Sequence, residues 1–315
     1  MRVTASTFPN VLNFQLGRLS TEQARLQTQA GTGQRFSTAS EDPRAMRKVL
    51  DLQSEVKTLG QYERNAANLH DVLDTTYVAT QGLKTVSDRA GEIATRADGL
   101  RTPEELRTLA TEVDQLVERA LQLGNTRHQS AYLFGGAKNT TPPFEVEERD
   151  ANGRISKVKY NGTADVAQSE IAESITLSVN IPGVNDTGAG TRGLFADTRA
   201  GADIFQHLID LRKHLEQADS AAVADIQGTD LPNLLKDEDN ILFHYGNIGA
   251  LQSRLDVASL LANRRSASLE GLVSKEADAD PAQTLVALST IQNAYTAALK
   301  TGGTILGQSL LDYLR

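Results

Sequence analysis

The segment LNFQLGRLSTEQARLQTQA, residues 12–30, decides the fold of this chain because most of its leucines recur at spacings of four and three residues. That spacing places the leucines on one face of an α-helix. The segment LVALSTIQNAYTAALKTGGTILGQSL, residues 285–310, carries a similar pattern near the other end of the chain. Neither apolar stripe has a neighbouring segment on which to pack, so we expect both helices to be completed by assembly.

The apolar residues of both stripes form a predicted assembly interface. They are Leu12, Leu16, Leu19 and Leu26 on the N-terminal helix and Leu288, Ile291, Tyr295, Leu299, Ile305, Leu306, Leu310, Tyr313 and Leu314 on the C-terminal helix. Alternatively, the two stripes pack on each other within one chain, as in an antiparallel coiled coil. Glutamines beside both stripes leave wide faces that helices of a partner can also use.

Composition excludes several classes of function. The 315 residues carry a formal net charge of -8, which disfavours nucleic acid and anionic membranes as partners. No cysteine is present, which excludes disulfides and thiolate chemistry. No run approaches the ~20 apolar residues of a membrane span, so we expect no membrane insertion. The first 25 residues lack the order of a cleaved secretory signal, and any export is expected to use an uncleaved route.

Helix signals fill the first half of the chain. Asp42-Pro43 supplies an N-cap and a first-turn proline, and helical spacing of apolar residues then continues to Ala97. This predicts a single helix of about 54 residues. Thr102-Pro103-Glu104-Glu105 has the form of a capping box. The helix that follows is expected to end at Gly135-Gly136 and to form a helical hairpin with its predecessor.

The period of the apolar residues changes to two after Pro143, which predicts strands. A three-residue loop at 151–153 pairs Phe144 with Tyr160, Glu145 with Lys159, Val146 with Val158, and Glu147 with Lys157. A second alternating strand carries Ile175, Leu177, Val179 and Ile181. Together they predict a small sheet of at least three strands.

Helical patterns return from Ala202, and a polar, glycine-containing gap near 217–231 is expected to be a loop before the next helix. Asp280-Pro281 repeats the earlier Asp-Pro start. The fold class is therefore mainly α with a β insertion (α+β), in which N- and C-terminal segments form a long coiled-coil-like helical bundle beside a small central β-rich domain. The predicted organisation is an N-terminal assembly helix and break (1–43), a helical hairpin (44–137), a β-rich surface domain (138–200), a helix and connector (201–231), a return helix (232–280) and a C-terminal assembly helix (281–315).

Two patterns could support chemistry. Asp203, His207, Asp210 and His214 share one helical flank, as metal ligands do, although an ordinary amphipathic helix has the same polar flank. The run beginning at Gly188 matches the Gly-x-Gly-x-x-Gly dinucleotide fingerprint, but it lacks the strand and helix that this fingerprint requires. We therefore predict no catalytic, cofactor-binding or metal-binding residue.

Several motifs resemble the flagellin superfamily. They are Met1-Arg2-Val3-Thr4, the stretch Gln27–Arg35 followed by Glu41-Asp42-Pro43, Gln61–Asn65, Tyr132-Leu133-Phe134-Gly135-Gly136 with Pro143-Phe144, and Ser309–Leu314. Gly31 and Gln34 depart from the usual serine and lysine of the family. Residues 61–65, 132–144 and 309–314 are more similar to the hook–filament junction members of the superfamily than to flagellin. The resemblance covers about 1–146 and 240–315.

The resemblance implies a structural subunit of the bacterial flagellum, exported unfolded and without enzyme activity. Its implied partners are other copies of itself, the hook-associated protein next to the hook, flagellin, and a flagellar export chaperone at the C-terminal helix. It implies no cofactor. A flagellin-type filament subunit is the alternative, and a metal- or nucleotide-dependent enzyme is a remote one.

Overall fold

The computed structural model describes the backbone of residues 7–313 and the side chains of residues 10–304. The helices are α1 (Thr7–Thr32), α2 (Pro43–Arg96), α3 (Pro103–Gly124), α4 (Ile204–Gln217), α5 (Ser220–Asp225), α6 (Leu231–Ala277) and α7 (Pro281–Tyr313), with a π-helical turn at Ile226–Asp230. The strands are β1 (Arg127–His128), β2 (Ala131–Tyr132), β3 (Phe144–Arg149), β4 (Ile155–Tyr160), β5 (Ser169–Ala172), β6 (Ile175–Leu177), β7 (Val184–Asn185), β8 (Ala196–Asp197) and β9 (Ala202–Asp203). This confirms the predicted fold class. In the described part of the chain, no helix has the length and apolar character needed to span a bilayer.

The chain forms two compact units. The terminal unit contains the residues up to Leu59 and from Arg264 onward, and the central unit is Gly60–Asn263. In the terminal unit, Asp42 Oδ1 accepts a hydrogen bond from the Ala45 amide at 3.0 Å, and Asp280 Oδ1 accepts one from the Ala282 amide at 2.8 Å. Both Asp-Pro helix starts are therefore confirmed, because each aspartate caps free amides of the first turn.

The central unit is organised by the antiparallel packing of α2 on α6. Buried residues recur every seven positions on α6 at Leu234, Ile241, Ile248 and Leu255, and on α2 at Ala66, Leu73, Thr80 and Ser87. Gln252 Nε2 donates to Asp74 Oδ1 at 2.8 Å across this seam. A seven-residue repeat of buried positions is typical of coiled-coil packing.

Helix α3 begins as predicted and ends earlier than predicted. The Thr102 and Glu105 side chains form the reciprocal capping box. The helix stops at Gly124 instead of Gly135, because the Asn125 side chain donates to the Phe144 carbonyl at 2.8 Å and accepts from the Phe144 amide at 3.1 Å. The residues between Asn125 and β3 include the β1–β2 hairpin instead of further helix.

The β3–β4 hairpin confirms most of the predicted register. Phe144 pairs with Tyr160, Glu145 with Lys159 and Val146 with Val158. A bulge then places Glu148, not Glu147, opposite Lys157. The Lys157 ammonium still lies 3.1 Å from the Glu147 carboxylate, so the expected charge pair forms in spite of the shifted backbone.

The predicted sheet of three or more strands around Ile175 is wrong. Strand β6 ends at Leu177 and, within the described residues, pairs with β5 alone, while β7, β8 and β9 form a separate small sheet. Val179 and Ile181 are buried but lie outside the strands. Both belong to the main hydrophobic core, and the Gly183 amide that follows them donates to the Phe134 carbonyl in the turn after β2 at 2.8 Å, so tertiary packing replaces strand pairing.

The connector at 217–231 is helical instead of polar loop. Asp219 caps α5 by accepting a hydrogen bond from the Ala222 amide at 2.7 Å. In the π-helical turn, Gln227 Nε2 donates to the carbonyls of Ala94 at 2.8 Å and Ala97 at 3.1 Å. This side chain satisfies carbonyls that the end of α2 leaves free.

A buried arginine fixes the hairpin to the helices of the central unit. The Arg212 side chain on α4 is 1% exposed. Its guanidinium lies 2.5 Å from Asp114 on α3, 3.7 Å from Asp150 in the β3–β4 turn and 3.6 Å from Glu216 on α4. Because these carboxylates come from three parts of the fold, one side chain sets their relative positions.

Candidate assembly surface

The terminal helices α1 and α7 lie against each other in the terminal unit. The chain breaks that precede α2 and α7 meet as well. The Arg35 amide donates to the Ala277 carbonyl at 2.7 Å, and the Ala279 amide donates to the Gly33 carbonyl at 2.8 Å. Gly33 has φ +72°, a left-handed conformation that favours glycine. These bonds fasten the end of α1 to the start of α7.

Part of the predicted assembly interface faces inward within this helix pair. Leu26 is buried, and the half-buried members are Leu12, Leu16, Leu19, Leu288, Ile291 and Tyr295. Gly302 of α7 is buried, and a Cβ atom added there would lie 2.4 Å from Leu12 Cδ2. The helices therefore approach closely at Gly302, a residue that the sequence interpretation missed although a glycine inside a helix is a signal for such an approach.

A second set of apolar side chains on the same helices faces outward. Leu299 of the predicted interface is 48% exposed, and Leu285, which begins the C-terminal apolar stripe, is 58% exposed. Val11, Phe14 and Val286, which the sequence interpretation missed, are exposed as well. Phe14 and Val286 are each 68% exposed. We call Val11, Phe14, Leu285, Val286 and Leu299 the outward set. Val11, Phe14 and Val286 lie off the leucine stripes, which explains why the spacing rule did not select them.

The remaining predicted residues lie at the end of α7. Ile305, Leu306, Leu310 and Tyr313 belong to the helix as described, and their side chains are outside the described set. Leu314 lies outside the described residues.

Charges are sparse on this surface. Among residues 10–32, α1 carries Arg18, Glu22 and Arg25, and among residues 281–304, α7 carries only Lys300. Hydrogen bonding to Arg25 lowers the pKa of Glu22, so these two charges compensate each other. An apolar surface with few charges costs little desolvation when another protein covers it, and interface cores are depleted of charge in this way.

The candidate metal ligands on α4 point to separate partners. His207 Nδ1 lies 2.7 Å from Asp237 Oδ2, and His214 Nδ1 lies 2.6 Å from Asp230 Oδ2. Asp203 caps α4 by accepting a hydrogen bond from the Gln206 amide at 3.1 Å. Within the described residues, no group of three or more His, Asp or Glu side chains is placed to hold a metal ion.

The glycine-rich run from Gly188 is closed by its own side chains. Asn185 Nδ2 donates to the carbonyls of Ala189 and Thr191, each at 2.6 Å, and Arg199 Nη1 donates to the Gly190 carbonyl at 3.0 Å. Strands β7 and β8 flank this run. A dinucleotide fingerprint would instead open directly into a helix whose amides face the phosphates.

Comparison with known proteins identifies the fold. Residues 10–139 match the family model of the bacterial flagellin N-terminal helical region. No curated protein matches the sequence. A structure assigned as a flagellar hook-associated protein of Vibrio parahaemolyticus superposes with a TM-score of 0.64 at 19% identity, covering 76% of this chain and 100% of that chain.

Two structures from Legionella pneumophila agree. Flagellar hook-associated protein-3 has a TM-score of 0.57 at 14% identity, covering 71% of this chain and 97% of that chain. The flagellar junction protein FlgL has a TM-score of 0.55 at 15% identity, covering 72% of this chain and 100% of that chain. The comparisons confirm the resemblance stated from the sequence, and this chain has the fold of these hook-associated proteins.

Proposed function

We propose that this chain, which carries the flagellin N-terminal helical region and the fold of hook-associated protein 3, is a structural subunit of the hook–filament junction of the bacterial flagellum. The observation that carries the proposal is the outward set on paired terminal helices. Burial of such apolar side chains is favourable by roughly 1.5–3 kcal/mol for each fully buried side chain. A solitary molecule does not gain this free energy, and an assembled one does.

The proposed contacts divide between the two faces of the helix pair. The inward residues, such as Leu12 and Leu19, hold α1 and α7 together. The outward set then contacts neighbouring copies of the chain. Ile305, Leu306, Leu310, Tyr313 and Leu314 extend this interface toward the end of α7. Isolated helices gain stability mainly from packing an apolar face, so we expect the two terminal helices to become fully ordered only on assembly.

The proposed partners follow from the same role. They are other copies of the chain, the first hook-associated junction protein on the hook side, and flagellin on the filament side. We place the protein outside the cell, as a component of the flagellum. Before export, residues 281–314 offer an amphipathic helix that fits the groove of an export chaperone. The role needs no enzyme activity and no cofactor.

The first test replaces one residue of the outward set. Phe14→Asp introduces a charge that assembly would have to bury without a counterion, at a cost of several kcal/mol. We expect the variant to fold normally and to fail to restore swimming in a deletion strain. Val78→Asp is the matched control, because Val78 is 65% exposed but lies in the central unit. Normal incorporation of the Phe14→Asp protein would contradict the proposed contact.

The deletion strain also separates the junction role from that of a flagellin. Loss of a junction subunit should leave hooks intact and release flagellin into the medium, since filaments cannot attach. Loss of a sole flagellin leaves no flagellin to release. Limited proteolysis of the monomer tests the ordering of the termini. Resistance of α1 and α7 equal to that of α2 and α3 would refute ordering on assembly.

A further inference from the structure

Helix α6 has two apolar faces, and only one of them is covered in the central unit. The buried face carries the heptad residues Leu234, Ile241, Ile248 and Leu255. The opposite face carries large apolar side chains that are 43–59% exposed, namely Leu235, Leu242, Phe243, Val257, Leu260 and Leu261. On a helix of ~3.6 residues per turn, this second group forms a continuous stripe on the side away from the seam. A helix that is apolar on both sides is usually covered on both.

The middle of this stripe is made of small residues. Gly246, Gly249, Ala250 and Ser253 are exposed, and an added Cβ at either glycine would meet no atom within 4 Å. Small residues let the backbone of a second helix come close, and the bulky residues on each side then fit around the crossing point. The shape of the stripe therefore fits another helix better than it fits a flat surface.

The charges on this face are arranged for a copy of the same helix. Asp239 and Arg254 are exposed beside the stripe, and neither forms an ion pair with another side chain in the described part of the chain. They lie 15 positions apart, or ~22 Å along the helix. Gly246 and Asn247 lie midway between them. A two-fold axis through this midpoint brings Asp239 of each helix opposite Arg254 of the other.

The same axis matches the apolar residues. Leu235 falls opposite the partner's Val257 and Leu260, and Phe243 falls opposite the partner's Ala250. The Arg192 guanidinium stacks 4.2 Å from the centre of the Phe243 ring, which supports the ring from one side. Bulky residues thus meet spaces left by small ones, and opposite charges meet, in a single antiparallel register.

We propose that two copies of this chain associate through an antiparallel α6–α6 contact centred on Gly246. Such a contact is isologous, since both molecules use the same surface. It does not depend on the junction role. The two molecules of a two-fold antiparallel pair point in opposite directions, so the pair cannot be extended into a tube whose subunits all point the same way. We therefore infer that it forms between unassembled molecules and separates on incorporation. One helix pair is smaller than a standard interface of about 1,600 Å², so we expect weak association in the micromolar range.

Charge reversal tests the register in the full-length protein by sedimentation velocity over a concentration series. We expect D239R alone and R254D alone each to weaken dimerisation at least about tenfold, because each creates two like-charge contacts. The double variant D239R/R254D should restore it. A protein that stays monomeric throughout the series would overturn the proposal, and so would single reversals without effect.

Two further measurements exclude other routes to a dimer. The chain has no cysteine, so a G246C variant carries a single thiol at the proposed axis and should form a disulfide-linked dimer on mild oxidation. Thr85→Cys, on exposed α2 surface of the same unit, is the control and should not. Phe14→Asp should leave the dimer intact. If it abolishes dimerisation while D239R does not, the terminal helices and not α6 make the contact, and the α6 proposal fails.

Discussion

Replacing Arg212 with methionine should destabilise the central unit more than any surface substitution. Methionine keeps much of the length of the arginine stem, so the change mainly removes the guanidinium. Three carboxylates, those of Asp114, Asp150 and Glu216, then lose a common counterion. Removing one partner of a buried ion pair typically costs 3–5 kcal/mol.

Partial hydration places the expected loss at the lower end of that range. The side chains of Asp114, Asp150 and Glu216 are 22%, 27% and 30% exposed, so water can stabilise each carboxylate in part. Arg154 also contacts Glu216 and remains in the variant. We therefore expect a loss of about 3 kcal/mol in the free energy of unfolding.

Urea denaturation followed by circular dichroism measures this difference. Arg107→Met is the control, because Arg107 is exposed and forms no ion pair with the other described side chains. Its effect should stay within about 0.5 kcal/mol. Hydrogen exchange should show the loss concentrated in the β3–β4 hairpin and α4. A loss below about 1 kcal/mol for Arg212→Met would refute the idea that this arginine holds the three elements together.

Two other substitutions test close packing and burial. Gly302→Ala should weaken the pairing of α1 with α7, because the added Cβ would meet Leu12 at 2.4 Å. The control is Gly303→Ala, where an added Cβ meets no atom within 4 Å. Limited proteolysis should cleave α1 faster in Gly302→Ala than in Gly303→Ala, and equal rates would contradict this. Burial lowers the pKa of His244 to about 4 in the folded protein, whereas its pKa in the unfolded chain is about 6.5. Between these two pH values the imidazole is neutral in the folded protein and charged in the unfolded chain. Its contribution to stability is therefore present above pH 6.5 and lost as the pH falls. His244→Gln, which can still donate to the Gly193 carbonyl, should lose less stability than the wild type between pH 7 and 4.5, and parallel pH profiles of unfolding would contradict this.

Elements with local signals could be predicted from the sequence. Asp42-Pro43, Asp280-Pro281 and the capping box at Thr102 each place the cap and its amides within a few residues. The alternation around Phe144 and the loop at Gly153 likewise predicted three of the hairpin pairs correctly. These features depend on near neighbours, and near neighbours are what sequence patterns record.

Elements defined by distant contacts could not be predicted. Helix α3 ends where Asn125 binds the backbone of Phe144, and the π-helical turn places Gln227 on the end of α2. The helical period of α3 gives no sign of the contact between Asn125 and the backbone of Phe144. The polar composition around Gln227 suggested a loop because its partners, Ala94 and Ala97, are far away in sequence.

The assembly surface shows the same limit more clearly. Regular spacing identified the stripe that closes the α1–α7 pair, because a helix with one apolar face has a clear period. Phe14 and Val286 lie off that period, and α6 has apolar residues on two sides, so a single stripe cannot describe either case. The exposed fraction of each side chain separates the apolar residues that are covered within the chain from those that are not. The residues left exposed after the internal packing is complete are therefore the better guide to contacts between molecules, for the terminal helices and for α6 alike.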